Sequence, residues 1–72
     1  MKKFDNMADK IRAIKNVFRD GEPLKGKEIV ARLTSSGYRV KERNVLMFIY
    51  HRMLYKYLNK NVINGINVYT LA

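Results

Sequence analysis

The dipeptide Asn64-Gly65, which stands between β-branched residues, is the feature that most constrains how this chain can fold. A two-residue type I′ turn needs positive φ at both central positions, and Asn and Gly adopt positive φ with the least strain. The sequence therefore predicts a β-hairpin over residues 62–71, in which Ile63 lies opposite Ile66. Both hairpin faces are apolar, and the pattern leaves open which one joins the core. One face carries Ile63, Ile66 and Val68, and the other carries Val62, Tyr69 and Leu71.

Three segments ahead of the hairpin have apolar residues at helical spacings of three and four. Asp5 or Asn6 can cap the first segment, and Gly21 suits its C-terminal end. Pro23 cannot continue a helix, so Leu24 is expected to form a strand of one or two residues. The predicted bounds are residues 6–19 for helix 1, residues 26–35 for helix 2 and residues 42–58 for helix 3.

Helix 3 has more apolar surface than one core-facing stripe requires. Val45, Ile49 and Met53 form one stripe, and Leu46 and Tyr50 extend the apolar surface beside it. A helix on the surface of a globular protein normally has a single apolar stripe. The excess predicts a second contact, made either by helix 1 or by a second subunit, and we expect a homodimer.

Helices 2 and 3 lack the usual capping residues at their predicted starts. Lys25 and Lys41 stand near the N-cap positions, where Ser, Thr, Asp or Asn is preferred. One alternative is that the true caps lie one residue away. The other is that the lysines and the open helix N-termini together bind phosphate groups.

The charge of the chain indicates a polyanionic partner. Fifteen Lys and Arg against six Asp and Glu give a formal net charge of +9, which is spread along the chain. An anionic lipid surface is the less favoured partner, because membrane binding needs a strongly amphipathic exposed helix. The longest apolar run, residues 45–50, is too short for a membrane span, and no signal-peptide pattern is present. We expect one domain, residues 1–72, in the cytoplasm, associated with the nucleoid or nucleus.

The residue types needed for catalysis are scarce. The chain has one His and no Cys, and its six carboxylates are scattered. They provide neither a nucleophile–base pair nor metal-ligand spacing, and there is no glycine-rich phosphate loop. We expect a protein that is not an enzyme, with no cofactor, no metal and no small-molecule substrate.

The segment of residues 23–33 resembles the strand-and-helix opening of winged helix DNA-binding domains, in which an apolar strand residue precedes a small helix. Gly37-Tyr38-Arg39-Val40 resembles the turn that follows, Arg43-Asn44-Val45 the start of the recognition helix, and Val62-Ile63 with Tyr69-Thr70-Leu71 the two wing strands. The resemblance is one of pattern and covers almost the whole chain. It implies an α+β winged helix-turn-helix fold, with three helices, a short strand and a C-terminal two-stranded wing.

The resemblance also implies a function: binding of double-stranded DNA by a small transcription regulator, with helix 3 in the major groove. The implied base contacts are Arg43, Asn44 and Met47, and Arg and Asn suit guanine and adenine respectively. The implied backbone contacts are Lys25, Lys27, Arg39, Lys41, His51, Lys60 and Asn61.

Other functions fit parts of the same sequence. The basic start of helix 3 can be a solvated surface, and the domain can be a protein–protein interaction module or an RNA-associated protein. Tyr50, Tyr55 and Tyr57 can stack on single-stranded bases, but packing in the core or an interface is the expected role of these residues.

Overall fold

A computed structural model describes residues 4–19 and 21–72. In these residues three helices and a three-stranded antiparallel sheet form an α+β fold, which confirms the predicted class. A π-helical turn, Ile49–Met53, continues the third helix. The helices are α1 (Met7–Asn16), α2 (Gly26–Ser35) and α3 (Glu42–Phe48), and the strands are β1 (Leu24–Lys25), β2 (Leu58–Ile63) and β3 (Ile66–Leu71).

The first half of the chain follows the sequence pattern closely. α2 and β1 have the predicted bounds, and α1 starts after Asn6, whose side-chain oxygen accepts a hydrogen bond of 2.8 Å from the Asp9 N–H. α1 ends at Asn16, so its predicted end at residue 19 is wrong. Gly21 has the expected positive φ of 73°, but it lies in the following loop and does not cap the helix.

The prediction of one continuous helix over residues 42–58 is wrong. The helix widens into the π turn, where the Leu54 N–H donates to the Ile49 carbonyl at 2.9 Å, and the chain then leaves the helix. Apolar residues four positions apart drift around an α-helix, because four exceeds its 3.6-residue turn. The wider turn offsets this drift, so Val45, Ile49 and Met53 are all buried.

The hairpin forms at the predicted turn. Asn64 and Gly65 have φ values of 52° and 77°, and Ile63 pairs with Ile66. The hairpin is longer than residues 62–71, because β2 begins at Leu58 and takes residues that the sequence assigned to helix 3. β3 is the central strand, in the order β1-β3-β2.

One face of the hairpin belongs to the core. Leu58, Tyr69 and Leu71 pack with the buried residues of the helices, and burial raises the pKa of Tyr69. The end of the hairpin extends past this core and exposes apolar residues on both faces. The exposed residues are Val62, Ile63 and Ile66.

Replacing Gly65 with valine is expected to lower the free energy of unfolding by about 1–3 kcal/mol, because a β-branched residue would be forced to positive φ. A Cβ at Gly65 would meet nothing within 4 Å, so backbone strain and not crowding causes the loss. Thermal unfolding measures the effect, and Gly65→Asn is the control because Asn tolerates this conformation. Equal melting temperatures for Gly65→Val and the wild type would show that the turn does not hold the hairpin.

Candidate nucleic-acid interface

α3 turns one face to the core and the other to solvent. Val45 and Ile49 are 1% and 0% exposed. Residues three or four positions apart share a side of a helix, so Val45 and Ile49 mark the buried side of α3. The side opposite to them carries Arg43, Asn44 and Met47. All three side chains are exposed. The three predicted base-contact residues therefore lie together on the solvent face of α3.

A depression lies on each side of this exposed face. The first contains Arg39, Lys41 and Asn44, together with Lys10 of α1. The second contains Lys25 and Lys27 from the start of α2, together with Glu42, Leu46 and residues of β3. Four of the predicted backbone-contact residues therefore flank α3, two on each side. They are Lys25, Lys27, Arg39 and Lys41.

Gly26 brings the second depression close to α3. A Cβ at Gly26 would lie 2.8 Å from the Cδ2 atom of Leu46, which is closer than van der Waals contact allows. The absence of a side chain therefore lets the start of α2 approach α3. This close approach positions Lys25 and Lys27 beside the exposed face of α3.

Lys25 and Lys41 are themselves the N-cap residues of α2 and α3. The alternative that the true caps lie one residue away is therefore wrong. A lysine side chain has no acceptor, so neither residue makes a side-chain capping bond. The Lys25 N–H instead donates to the Glu28 carboxylate at 3.0 Å.

The carboxylates of Glu22 and Glu28 accept hydrogen bonds within the fold. Arg32 makes two hydrogen bonds to Glu22, of 2.9 and 2.7 Å, and a third of 2.8 Å to the Val17 carbonyl at the end of α1. The Arg32 hydrogen bonds lower the pKa of Glu22, so the pair is complete at neutral pH and weakens as the pH falls through that pKa. The Glu28 carboxylate accepts the hydrogen bond from the Lys25 N–H at the start of α2.

The last 30 residues of the chain are free of acidic residues. Residues 43–72 contain no Asp or Glu, and their cations are Arg43, Arg52, Lys56 and Lys60. Glu42 is the acidic residue at the edge of the α3 surface, where it lines the second depression. The exposed face of α3 is therefore bordered mainly by positive charge.

The remaining predicted contacts divide between two places. His51 and Lys60 lie beside Tyr50. The His51 and Tyr50 rings are nearly perpendicular, with centres 5.1 Å apart, and the Lys60 Nζ lies 6.0 Å from the Tyr50 ring centre. Asn61 alternates with Lys60 along β2 and so faces the other side of the hairpin. The structure groups His51 and Lys60 with α3 but does not bring Asn61 there.

Packing in the core is the wrong alternative for three tyrosines, and packing in an interface stays a prediction. Tyr50, Tyr55 and Tyr57 are 64%, 72% and 36% exposed. The early end of the helix explains two of them, because Tyr55 and Tyr57 fall in the turn before β2. Tyr50 lies on the solvent side of the π turn.

Lys10 is a cation near α3 that was not among the contacts predicted from the sequence. Its Nζ lies 4.4 Å from the Phe48 ring centre and 5.5 Å from the Phe4 ring centre. These contacts direct a side chain of α1 toward α3. No local sequence pattern predicts the contact, because it depends on how the helices pack.

The described residues contain no cluster of three or more His, Cys, Asp or Glu that could hold a metal ion. Over residues 4–19 and 21–72, no helix has the length and apolar character needed to cross a membrane.

Comparisons of the chain with protein-family models, with curated proteins and with solved structures gave no match.

Proposed function

We propose that this chain is a winged helix-turn-helix protein that binds double-stranded DNA and regulates transcription. The observation that carries the proposal is the exposed face of α3 with a cation-lined depression on each side. In this proposal α3 enters the major groove and the β2–β3 hairpin is the wing beside it. The proposed location is the cytoplasm, at the nucleoid or in the nucleus.

The dimensions of the two partners support this arrangement. The major groove is about 12 Å wide and accepts an α-helix with its side chains. Side chains at the centre of such a helix reach base edges, while side chains on its flanks reach the phosphates of the two strands. The positions of Lys25 and Lys27 on one flank and of Arg39 and Lys41 on the other fit the phosphate role.

The proposed base contacts follow from side-chain chemistry. Arg43 can donate two hydrogen bonds to guanine, and Asn44 can pair with adenine in the same bidentate manner. Met47, which is 49% exposed, can contact the methyl group of thymine. His51 and Lys60 are proposed as further backbone contacts, whereas the position of Asn61 gives that residue less support.

We also propose that two copies bind together on DNA. Each copy carries a net charge of +9, so two copies repel each other in free solution. Phosphates between the copies would offset this repulsion, and the exposed Val62, Ile63 and Ile66 of the hairpin provide apolar surface for a contact. A two-fold dimer would suit a palindromic site, and a complex of two chains per site is the expected stoichiometry.

The hairpin end favours a second candidate function, a protein–protein interaction module. Residues 61–67 carry no charge, and Val62, Ile63 and Ile66 are 64%, 52% and 45% exposed. A basic hairpin end would have supported DNA binding more strongly. Association with a protein but not with duplex DNA would favour this second function.

Comparing Arg43→Ala with Lys27→Ala tests the proposed roles. Arg43→Ala is expected to cost about 1–3 kcal/mol of discrimination between a selected site and random duplex, because a base contact is lost. Lys27→Ala should weaken binding to both duplexes alike and flatten the salt slope by about one unit. The measurement is a fluorescence anisotropy titration of each variant with both duplexes. If Arg43→Ala weakens both duplexes equally, Arg43 contacts only the backbone and the protein is architectural.

A further inference from the structure

We propose that Tyr50 stacks on an unpaired base, so that the preferred ligand of the α3 surface is DNA in which a duplex meets a single strand. This inference rests on the proposed function, because it specifies the form of DNA that the same surface binds. In the proposed complex with duplex DNA, Tyr50 has no contact with the DNA. Stacking on an unpaired base gives Tyr50 such a contact.

Tyr50 continues the exposed face of α3 into the π turn. It lies about one helical turn after Met47 and two turns after Arg43, so the three side chains follow one another along the helix. The Tyr50 side chain is 64% exposed although it is large and aromatic. Its ring is nearly perpendicular to the His51 ring, and the Lys60 Nζ lies 6.0 Å from the Tyr50 ring centre.

The charge around Tyr50 points to nucleic acid as the partner of its ring. No acidic residue occurs in residues 43–72, and Arg43, Lys60 and His51 accompany Tyr50 on this surface. An uncharged or basic protein surface would gain nothing from these cations, whereas a nucleic-acid strand brings one phosphate with each base. Charge complementarity therefore favours a nucleotide over an apolar protein surface.

Within nucleic acid, the apolar ring favours an unpaired base. The floor of the major groove presents hydrogen-bonding edges and, as its apolar group, only the thymine methyl. It does not cover a tyrosine ring. An unpaired base offers a flat aromatic face, and stacking on exposed aromatic side chains is how proteins commonly hold single strands. Lys60, beside the ring, is positioned to contact the phosphate of that nucleotide.

The spacing along the helix fits a junction. Seven residues separate Arg43 from Tyr50, which corresponds to a rise of about 10 Å, or about three base steps. Arg43 can therefore contact the last base pairs of a duplex while Tyr50 meets a base beyond them. The two ends of one exposed face would recognise the two parts of the junction.

The test compares a DNA duplex with a single-stranded thymidine extension, the same duplex with blunt ends, and the single strand alone. The wild-type chain is expected to bind the extended duplex about tenfold more tightly than the blunt duplex. Tyr50→Ala should remove this preference and leave blunt-duplex affinity within about twofold, because Tyr50 is proposed to contact only the unpaired base. Tyr50→Phe should keep the preference, since the ring remains.

Tyr55→Asn is the matched control. It removes another exposed tyrosine, which is 72% exposed and has a φ of 67°, a conformation that Asn tolerates. This variant should keep the full preference for the extended duplex. A fluorescent 2-aminopurine at the first unpaired position adds a direct reading, because stacking on Tyr50 should quench it in the wild type and not in Tyr50→Ala.

Equal affinity of the wild type for extended and blunt duplexes would overturn the inference. Retention of the preference by Tyr50→Ala, or its loss in Tyr55→Asn, would also overturn it. In each case salt-sensitive binding of the blunt duplex would leave the proposed function intact. If the blunt duplex did not bind at all, the proposed function itself would fail.

Discussion

Replacing Ile49 with alanine is expected to lower the free energy of unfolding by about 2–5 kcal/mol. Ile49 is 0% exposed, and it lies where α3 widens into the π turn. Alanine would lose the buried apolar contacts and leave a cavity in the centre of the core. A small domain has a total stability of roughly 5–15 kcal/mol, so this single change would remove a large part of it.

Urea denaturation followed by circular dichroism measures this loss. Met47→Ala is the matched control, because Met47 lies on the same helix and is 49% exposed. That variant should change the free energy of unfolding by no more than about 0.5 kcal/mol. Similar losses for the two variants would contradict the assignment of a buried and an exposed face to α3, and with it the orientation of the proposed DNA-binding surface.

Local chemistry explains the parts of the fold that the sequence predicted well. The hairpin turn depends on two adjacent residues, Asn64 and Gly65, whose positive φ values do not require the rest of the protein. The start of α1 likewise depends on a contact between Asn6 and Asp9, three residues apart. Such features can be predicted because every group involved is close in the sequence.

The end of helix 3 could not be predicted in the same way. The apolar spacing continues through Leu54 and Leu58, so the sequence pattern gives no stop signal. The chain nevertheless leaves the helix at the π turn, and β2 pairs with β3 from Leu58 onward. The residues from Leu58 onward form a strand and not a helix because they pair with β3. A local sequence pattern contains no information about that pairing.

The candidate site could be predicted only in part, because some of its features are local in the sequence and others depend on tertiary packing. The exposure of Arg43, Asn44 and Met47 follows from the helical repeat, which places them opposite Val45, whereas their role as base contacts is implied only by the winged helix resemblance. The approach of α2 to α3, made possible by Gly26, depends on tertiary packing. So does the position of Lys60 beside Tyr50. The surface around α3 therefore became visible only in the folded chain.

Raising the salt concentration from 50 to 200 mM is expected to weaken binding of random-sequence duplex by about 250- to 1000-fold. The cations on the two flanks of α3, together with Lys60, can neutralise about 4–6 phosphates per chain. Each neutralised phosphate releases condensed counterions, so added salt opposes binding. Replacing both Lys25 and Lys27 with glutamine should reduce the slope of log K against log salt by about two units.

The measurement that tests the proposed function most directly is a titration of the wild-type chain with random duplex, single-stranded DNA and structured RNA across this salt range. If α3 and its flanking cations bind DNA, log K for the blunt duplex should fall with the logarithm of the salt concentration, with a slope of roughly −4 to −5. DNA binding by α3 also predicts that structured RNA binds less tightly than the duplex, because the deep, narrow RNA major groove does not admit a helix. A nearly flat salt response with the duplex would contradict nucleic-acid binding by this surface.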